Sequence, residues 1–182
     1  MNGVIERLPA SQLVIAGIPS YNDESTIAKV IVNSGKHVGK IVVVDDGSTD
    51  DIGIIAEKLG AIVVRHDRNR GKGEALKTVF EKARELGADV LVTLDADAQH
   101  EPNDIPKVVR LVLDDVADIV VGARAEPGST PTVRRLGQRF LDATLQVRDQ
   151  EGAVVDSQSG FRAYSKKALA QLDFYEWSMG AE

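Results

Sequence analysis

Five short runs of branched apolar residues recur along the chain, each followed by a polar turn and a longer stretch with helical patterning. They are Leu13 to Pro19, Lys40 to Val44, Ala61 to Val64, Val90 to Leu94 and Asp118 to Gly122. The runs are apolar at successive positions, as in strands covered on both faces, and such strands belong to parallel sheets. Helices are expected between them. One is capped by Asp23 or Ser25, runs to about Asn33 and stops at Gly35; another follows a cap at Ser48 or Asp50 and ends at Gly60. Two more run from about Glu74 to Leu86 and from about Asn103 to Leu113. The expected fold class is α/β: a single domain with a mostly parallel central sheet and helices on both faces. With 182 residues, 43% of them hydrophobic, the chain suffices for one such domain rather than two.

Open α/β sheets bind ligands outside the carboxyl ends of their strands. Three polar segments fall at that edge: Pro19 to Glu24, Asp45 to Asp50, and Asp95 to His100. The opposite edge is blander, as in Leu86-Gly87-Ala88-Asp89. The last polar segment carries the most chemistry, because Asp95 and Asp97 are two positions apart at a strand end and can face one point. Two carboxylates held that close repel unless a cation lies between them. Hard oxygen donors suit Mg²⁺ or Mn²⁺, ions that keep positions for water and substrate phosphates. The residues therefore predict a metal-bridged phosphate site.

Other classes are disfavoured. A net charge of −6 argues against a general nucleic-acid binder, so a bound phosphate must be met by local positive charge. Cysteine is absent, which excludes disulfides and thiolate metal sites. No apolar run approaches the roughly 20 residues that cross a bilayer, and the leader Met1 to Ser11 lacks the apolar core of a signal peptide. Gly71-Lys72-Gly73 is not a complete P-loop, and no Gly-x-Gly-x-x-Gly follows the first strand as a dinucleotide oxidoreductase requires. A phosphate-accepting receiver domain needs its acidic pair after the first strand, where this chain has Pro19-Ser20-Tyr21-Asn22. Asp45 and Asp46, taken alone, also read as turn residues.

Beyond Gly122 the alternation stops. Glu126 to Pro131 reads as a loop, and a helix is expected from about Thr132 to Val147, carrying Arg134, Arg135 and Arg139. Gln150 to Ser157 reads as extended or turn, Gly160 to Tyr164 as a strand, and Ser165 as the cap of a helix to about Leu172. The last residues, Trp177 to Glu182, form no clear closing element and read as an interruption.

Five segments occur in the order found in one known family: Ile18-Pro19-Ser20-Tyr21-Asn22-Asp23-Glu24, Val43 to Asp50, Asn69-Arg70-Gly71-Lys72-Gly73, Asp95 to His100, and Ser157 to Tyr164. From Leu13 to Glu182 the chain resembles the family 2 glycosyltransferases, and within them the polyprenyl-phosphate (dolichyl-phosphate) mannose or glucose synthase branch. The resemblance implies a GT-A (Rossmann-like) fold and a divalent metal, Mg²⁺ or Mn²⁺, held by Asp95, Asp97 and Gln99. It further implies that Pro19, Tyr21 and Glu24 line the nucleotide pocket, that Asp46 meets the base or ribose, and that Lys72 lies beside the nucleotide. Arg124 and an arginine of the Arg134-Arg135 pair would clamp an acceptor phosphate. Gln158, Ser159 and Arg162 would close over sugar and phosphate, with Asp97 and Arg124 as the catalytic pair.

The implied reaction is inverting transfer of a hexose from GDP-mannose or UDP-glucose to a polyprenyl phosphate. Nucleotide sugars are cytosolic and this acceptor is a lipid, so the expected place of action is the cytoplasmic face of a membrane, and the resemblance implies a membrane-associated C-terminal segment beyond Glu182. Two other readings stay open: a family 2 enzyme acting on a hydroxyl acceptor in glycan or cell-surface polysaccharide synthesis, and a non-catalytic nucleotide-sugar-binding module. A hydroxyl acceptor needs a base, and the sequence does not assign that role to His100 or Glu182.

Overall fold

The first strand, β1 (Val14–Ser20), is buried along its whole length and divides its side chains between two apolar layers. Val14, Ala16 and Ile18 enter one layer and Ile15 the other, the period-two alternation of a strand covered on both sides. The structure, a computed structural model, describes residues 12–98, 102–122, 133–136 and 160–172, with the backbone alone for 133–136. After β1 come α1 (Glu24–Ser34), β2 (Lys40–Asp45), α2 (Ile52–Lys58), β3 (Ile62–Arg65), α3 (Lys72–Glu85) and β4 (Val90–Thr93). A 3₁₀ turn at Pro102–Asp104 leads into α4 (Ile105–Leu113), followed by β5 (Ile119–Gly122), β6 (Val133–Leu136), β7 (Arg162–Ser165) and α5 (Lys166–Gln171).

The seven strands form one sheet in the order β3-β2-β1-β4-β7-β5-β6. The β3-β2, β2-β1 and β1-β4 pairs are parallel, whereas β7 is antiparallel to both β4 and β5, and β6 is antiparallel to β5. Strands β1 to β5 therefore share one direction, as the alternation predicts, and two reversed strands complete the far side.

One face is covered by α1, α2 and α4 through Ile27, Val30, Ile31, Ile52, Ala56, Ile105, Val108, Val109 and Val112. The other is covered by α3 and α5 through Ala75, Val79, Phe80, Ala83, Ala168 and Leu169. Helix α3 lies close on β1 because Gly17 has no side chain there; a methyl group would overlap Val79. Phe80 meets Tyr164 of β7 edge to face, with ring centroids 4.7 Å apart, a geometry worth about 0.5–1.5 kcal/mol beyond simple burial.

The helix expected from Thr132 is not formed at its start, since Val133–Leu136 is a strand. Its backbone pairs with β5, with Arg134 opposite Val121 and Arg135 opposite Val120. The outer edge of β5 offers a row of N–H and C=O groups that a strand satisfies and a helix cannot, and this long-range pairing overrides local propensity. Residues 137–147, the leader, the segment from Gln150 to Ser157, and Trp177 lie outside the described residues. The other elements fall within about two residues of expectation, and Ser165 caps α5 by accepting from the Ala168 N–H at 3.0 Å.

The junction of β7 and α5 is clamped from the amino-terminal ends of β4 and β5. Asp118 accepts from Ser165 Oγ at 2.8 Å and from Lys167 Nζ at 3.0 Å, while Asp89 accepts from the Leu13 N–H at 2.8 Å and from Lys166 Nζ at 3.2 Å. Lys167, and then the Ser165 hydroxyl, hold the Asp118 carboxyl below its ordinary pKa against the opposing effect of burial. The Leu13 N–H does most of the same for Asp89, with Lys166 adding to it. A depressed carboxyl contributes stability that is present above the unfolded-chain value of about 3.9 and is lost as pH falls through the lower folded value. Asp118→Asn is therefore expected to lower the unfolding free energy at neutral pH, with the deficit shrinking as the pH is taken below about 4. Urea titrations at the two pH values check this; an equal deficit at both would assign the loss to something other than the carboxylate charge.

Candidate active site

The carboxyl-terminal tips of β1 and β2 are fastened to each other before either contributes to a site. Asn22 takes a left-handed conformation, φ 55°, which its short polar side chain tolerates. Its N–H donates to Ser48 Oγ at 3.0 Å, and its Oδ1 accepts from the Thr49 N–H at 2.9 Å. The helices that follow exchange caps: the Glu24 N–H donates to Asp50 Oδ2 at 3.0 Å, and the Asp51 N–H donates to Glu24 Oε2 at 3.1 Å. Each satisfies a helix-terminal N–H that has no intrahelical partner.

The two aspartates ending β2 do different work. Asp45 is fully buried; its Oδ1 accepts from the Ser48 N–H at 2.8 Å, and Arg65 Nε lies 3.3 Å from its Oδ2. Asp46 is also buried, and its carboxylate gathers the loop between β3 and α3. Oδ1 is 2.6 Å from His66 Nδ1, Oδ2 accepts from the Gly71 N–H at 2.8 Å, and the Arg70 N–H reaches both oxygens at 3.0 and 3.1 Å. His66 is itself buried, with Nε2 2.9 Å from Thr78 Oγ1 on α3. Gly47 lets the two loops meet: at φ 74°, a Cβ there would lie 2.6 Å from Arg68 Cα and 2.7 Å from Asn69 N. Gly71, at φ 91°, then turns the chain into α3, so that Lys72 is its first residue.

Beyond β4, the Leu94 N–H donates to Gly17 O at 3.0 Å and carries the chain past the sheet edge. Asp95 is half-buried, Ala96 buried and Asp97 exposed, and Ala98 turns back at φ 58°. Lys72 Nζ donates to Asp95 Oδ1 at 2.7 Å. On its other side Asp95 packs against Gly160, where a methyl group would overlap the carboxylate. Gly160 is fixed by its own carbonyl, which accepts from Thr93 Oγ1 at 2.8 Å.

These tips enclose an open cleft of about 430 Å³. Pro19, Ser20, Tyr21 and Asp23 line it from β1, Asp46 from β2, Asn69, Gly71, Lys72 and Ala75 from the entry to α3, and Asp95, Ala96 and Asp97 from β4. Its size suits a small-molecule ligand. Asp95 and Asp97 offer hard oxygen donors on one wall, and the Lys72 ammonium already places positive charge at Asp95. The donor set therefore fits a divalent cation. Among the described residues no group of three or more His, Cys, Asp or Glu is arranged to hold a metal, and hard divalent cations commonly keep positions for water and for the oxygens of a bound anion.

The sequence model of glycosyl transferase family 2 matches residues 16–173. The chain belongs to glycosyl transferase family 2. It is 37% identical to a UDP-N-acetylglucosamine–dolichyl-phosphate N-acetylglucosaminyltransferase of Methanococcus voltae, a match covering 90% of this chain and 73% of that one. It is 31% identical to a polyprenol monophosphomannose synthase of Mycolicibacterium smegmatis, over 90% of this chain and 65% of the other. Among solved structures, it resembles glucosyl-3-phosphoglycerate synthase from Mycobacterium tuberculosis in complex with Mn²⁺, uridine-diphosphate-glucose and phosphoglyceric acid. That likeness has a TM-score of 0.62 at 25% identity, covers 87% of this chain, and spans 58% of the solved one. The domain is a glycosyltransferase of GT-A fold.

In this family 2 domain, the residues expected at the donor site mostly meet. Pro19, Tyr21, Asp46, Lys72, Asp95 and Asp97 all line the cleft. Glu24 is not among the residues lining it; its carboxylate accepts from the Asp51 N–H at the start of α2, while Asp23 lines the cleft. Asp46 borders the cleft while its oxygens accept from the loop that precedes α3. Arg162, at the start of β7, pairs in register with Thr93 and Val121. Near it, burial pushes the Tyr164 phenol above its ordinary pKa, with Arg162 and Thr93 acting the other way. Gln99, His100, Arg124, Arg139, Gln158, Ser159 and Glu182 lie outside the described residues, and Arg134 and Arg135 are placed by backbone only.

His66 was not foreseen, although a polar residue directly after the third strand falls at the same sheet edge as the others. It is a positioning residue, since it acts on the cleft through Asp46. His66→Leu removes a buried partner of that carboxylate and is expected to cost about 1–3 kcal/mol of stability. The loss should appear as a lower urea midpoint with unchanged slope, together with faster amide exchange at Arg70 and Gly71. Unchanged exchange at those two amides would remove His66 from the anchoring of the loop.

Proposed function

We propose that this domain transfers a hexose or N-acetylhexosamine, with inversion, from a nucleoside diphosphate sugar to a polyprenyl (dolichyl) phosphate. The observation that carries this reading is the convergence of Lys72, Asp95 and Asp97 on the cleft lined by Tyr21 and Asp46. One cleft thus offers a cation and paired carboxylates for a diphosphate, beside an aromatic ring and a polar wall for a nucleoside. The names of the Methanococcus and Mycolicibacterium relatives, with their dolichyl-phosphate and polyprenol acceptors, support a lipid phosphate as acceptor. The former also adds UDP-N-acetylglucosamine to GDP-mannose and UDP-glucose as a donor to test.

In this reading Asp95, Asp97 and Gln99 hold Mg²⁺ or Mn²⁺, which when bound stabilises negative charge on the departing diphosphate as a Lewis acid. Lys72 adds a positive charge on the same side. An acceptor phosphate oxygen forms the new bond to the anomeric carbon from the opposite face as the bond to the diphosphate oxygen breaks. That oxygen is already anionic, so the protein has no proton to remove and its task is to hold two anions in line. Arginine suits that task because its planar fork binds phosphate oxygens in pairs. Arg124, Arg134 or Arg135, and Arg162 with Ser159 are assigned to it. Among the described residues no helix is long and apolar enough to cross a membrane. The proposed acceptor would bring the domain to the cytoplasmic face of one.

Calorimetric titration with UDP, GDP and the three sugar nucleotides, each with Mn²⁺ and with chelator, tests the donor site and selects the base. Asp97→Ala is expected to weaken metal-dependent donor binding by about 100-fold while circular dichroism stays unchanged. A variant that binds donor as the parent does would remove Asp97 from the metal site. Arg124→Ala should raise the KM for a polyprenyl phosphate about 10-fold or more while leaving the donor Kd nearly unaltered. Equal weakening of both substrates would reject the acceptor role.

A further inference from the structure

Lys72 and Asp95 form a contact in the cleft that a metal bound at Asp95 must disturb. The ammonium is 2.7 Å from Asp95 Oδ1, and the two side chains differ sharply in exposure, 58% for Lys72 against 12% for Asp95. Asp95 is confined, because Gly160 packs against its carboxylate and is tied by the Thr93 hydroxyl. Lys72 is not confined in the same way. Its backbone is set by the Asp46 bonds to Arg70 and Gly71, but its four-carbon stem can carry the charge to a new position by rotamer changes alone.

Resting on the donor-site reading above, we propose that Lys72 is an internal counter-ion that keeps Asp95 from taking a divalent metal until a nucleoside diphosphate arrives. A cation entering at Asp95 without an anion meets the ammonium at the same oxygen and is repelled by it. A diphosphate brings several negative charges into the cleft, draws Lys72 off Asp95, and supplies oxygen ligands of its own. Metal and nucleotide therefore bind with positive coupling, and linkage requires each to tighten the other by the same factor. Lys72 is thus a positioning and ordering residue as well as a diphosphate contact. It guards the site against metal alone.

Mn²⁺ binding to the nucleotide-free protein, followed by the electron paramagnetic resonance of free Mn²⁺, reads the effect without turnover. Lys72→Met should tighten Mn²⁺ alone by about 10-fold or more, from removal of one adjacent positive charge, while weakening UDP or GDP in the presence of Mn²⁺. Lys72→Arg, which keeps the charge, should leave Mn²⁺ alone as weak as in the parent. Asp95→Asn should abolish the tight site that Lys72→Met creates. If Mn²⁺ affinity without nucleotide is the same in the parent and in Lys72→Met, and is lost in Asp95→Asn, the guard is overturned while the metal site stands. If Mn²⁺ binds none of these proteins, with or without nucleotide, the guard and the donor-site reading fall together.

Discussion

The cleft depends on a buried carboxylate that does not need to touch a ligand to matter. Asp46 accepts from His66 and from the N–H groups of Arg70 and Gly71, and so fixes the segment between the third strand and its long helix. Lys72 begins that helix one residue later. Burying a carboxylate is costly unless its oxygens are satisfied, and here the loop itself satisfies them. The loop cannot move without leaving those oxygens unpaired. The energetics of a buried anion therefore place a surface lysine against Asp95.

A second constraint works from the opposite side of the cleft. The reversed strand β7 enters the sheet beside β4 so that its first residues lie at the carboxyl edge, bringing Gly160 against Asp95 and Arg162 level with Thr93. Asp89 and Asp118 secure the other end of the same strand through Lys166, Lys167 and Ser165. A strand held at its far end transmits its register to its near end, since a slip of one residue would turn every side chain over. Gly160 would then no longer stand where Asp95 needs space.

Most of the sheet was legible because branched apolar runs, polar tips and helix stops all pointed the same way from Leu13 to Gly122. The meeting of the β1, β2 and β4 tips in one cleft was legible for the same reason, since carboxyl-edge tips converge in any sheet of this kind. The pairing of Val133–Leu136 with β5 was not, because a short arginine-containing stretch has no pattern of its own and takes its conformation from the edge it meets. The part Glu24 plays at the start of α2 was not legible either, because it rests on a contact with the Asp51 N–H, 27 residues later. His66 escaped notice because its role lies in a contact with Asp46, 20 residues earlier, and no local spacing encodes that pair.

The late arrival of β7 also bears on how the protein is made. The Thr93 to Gly160 bond joins residues 67 apart in sequence, so at about 5–20 residues per second a ribosome needs roughly 3–13 s to supply β7 after β4 has emerged. During that interval β4 has β1 on one side and an open hydrogen-bonding edge on the other. An exposed edge beside freshly made apolar strands is a template for pairing with another chain. The nascent domain is thus most prone to aggregate once β1 to β4 are paired and β7 has yet to emerge, and a chaperone that shields this edge acts in that window.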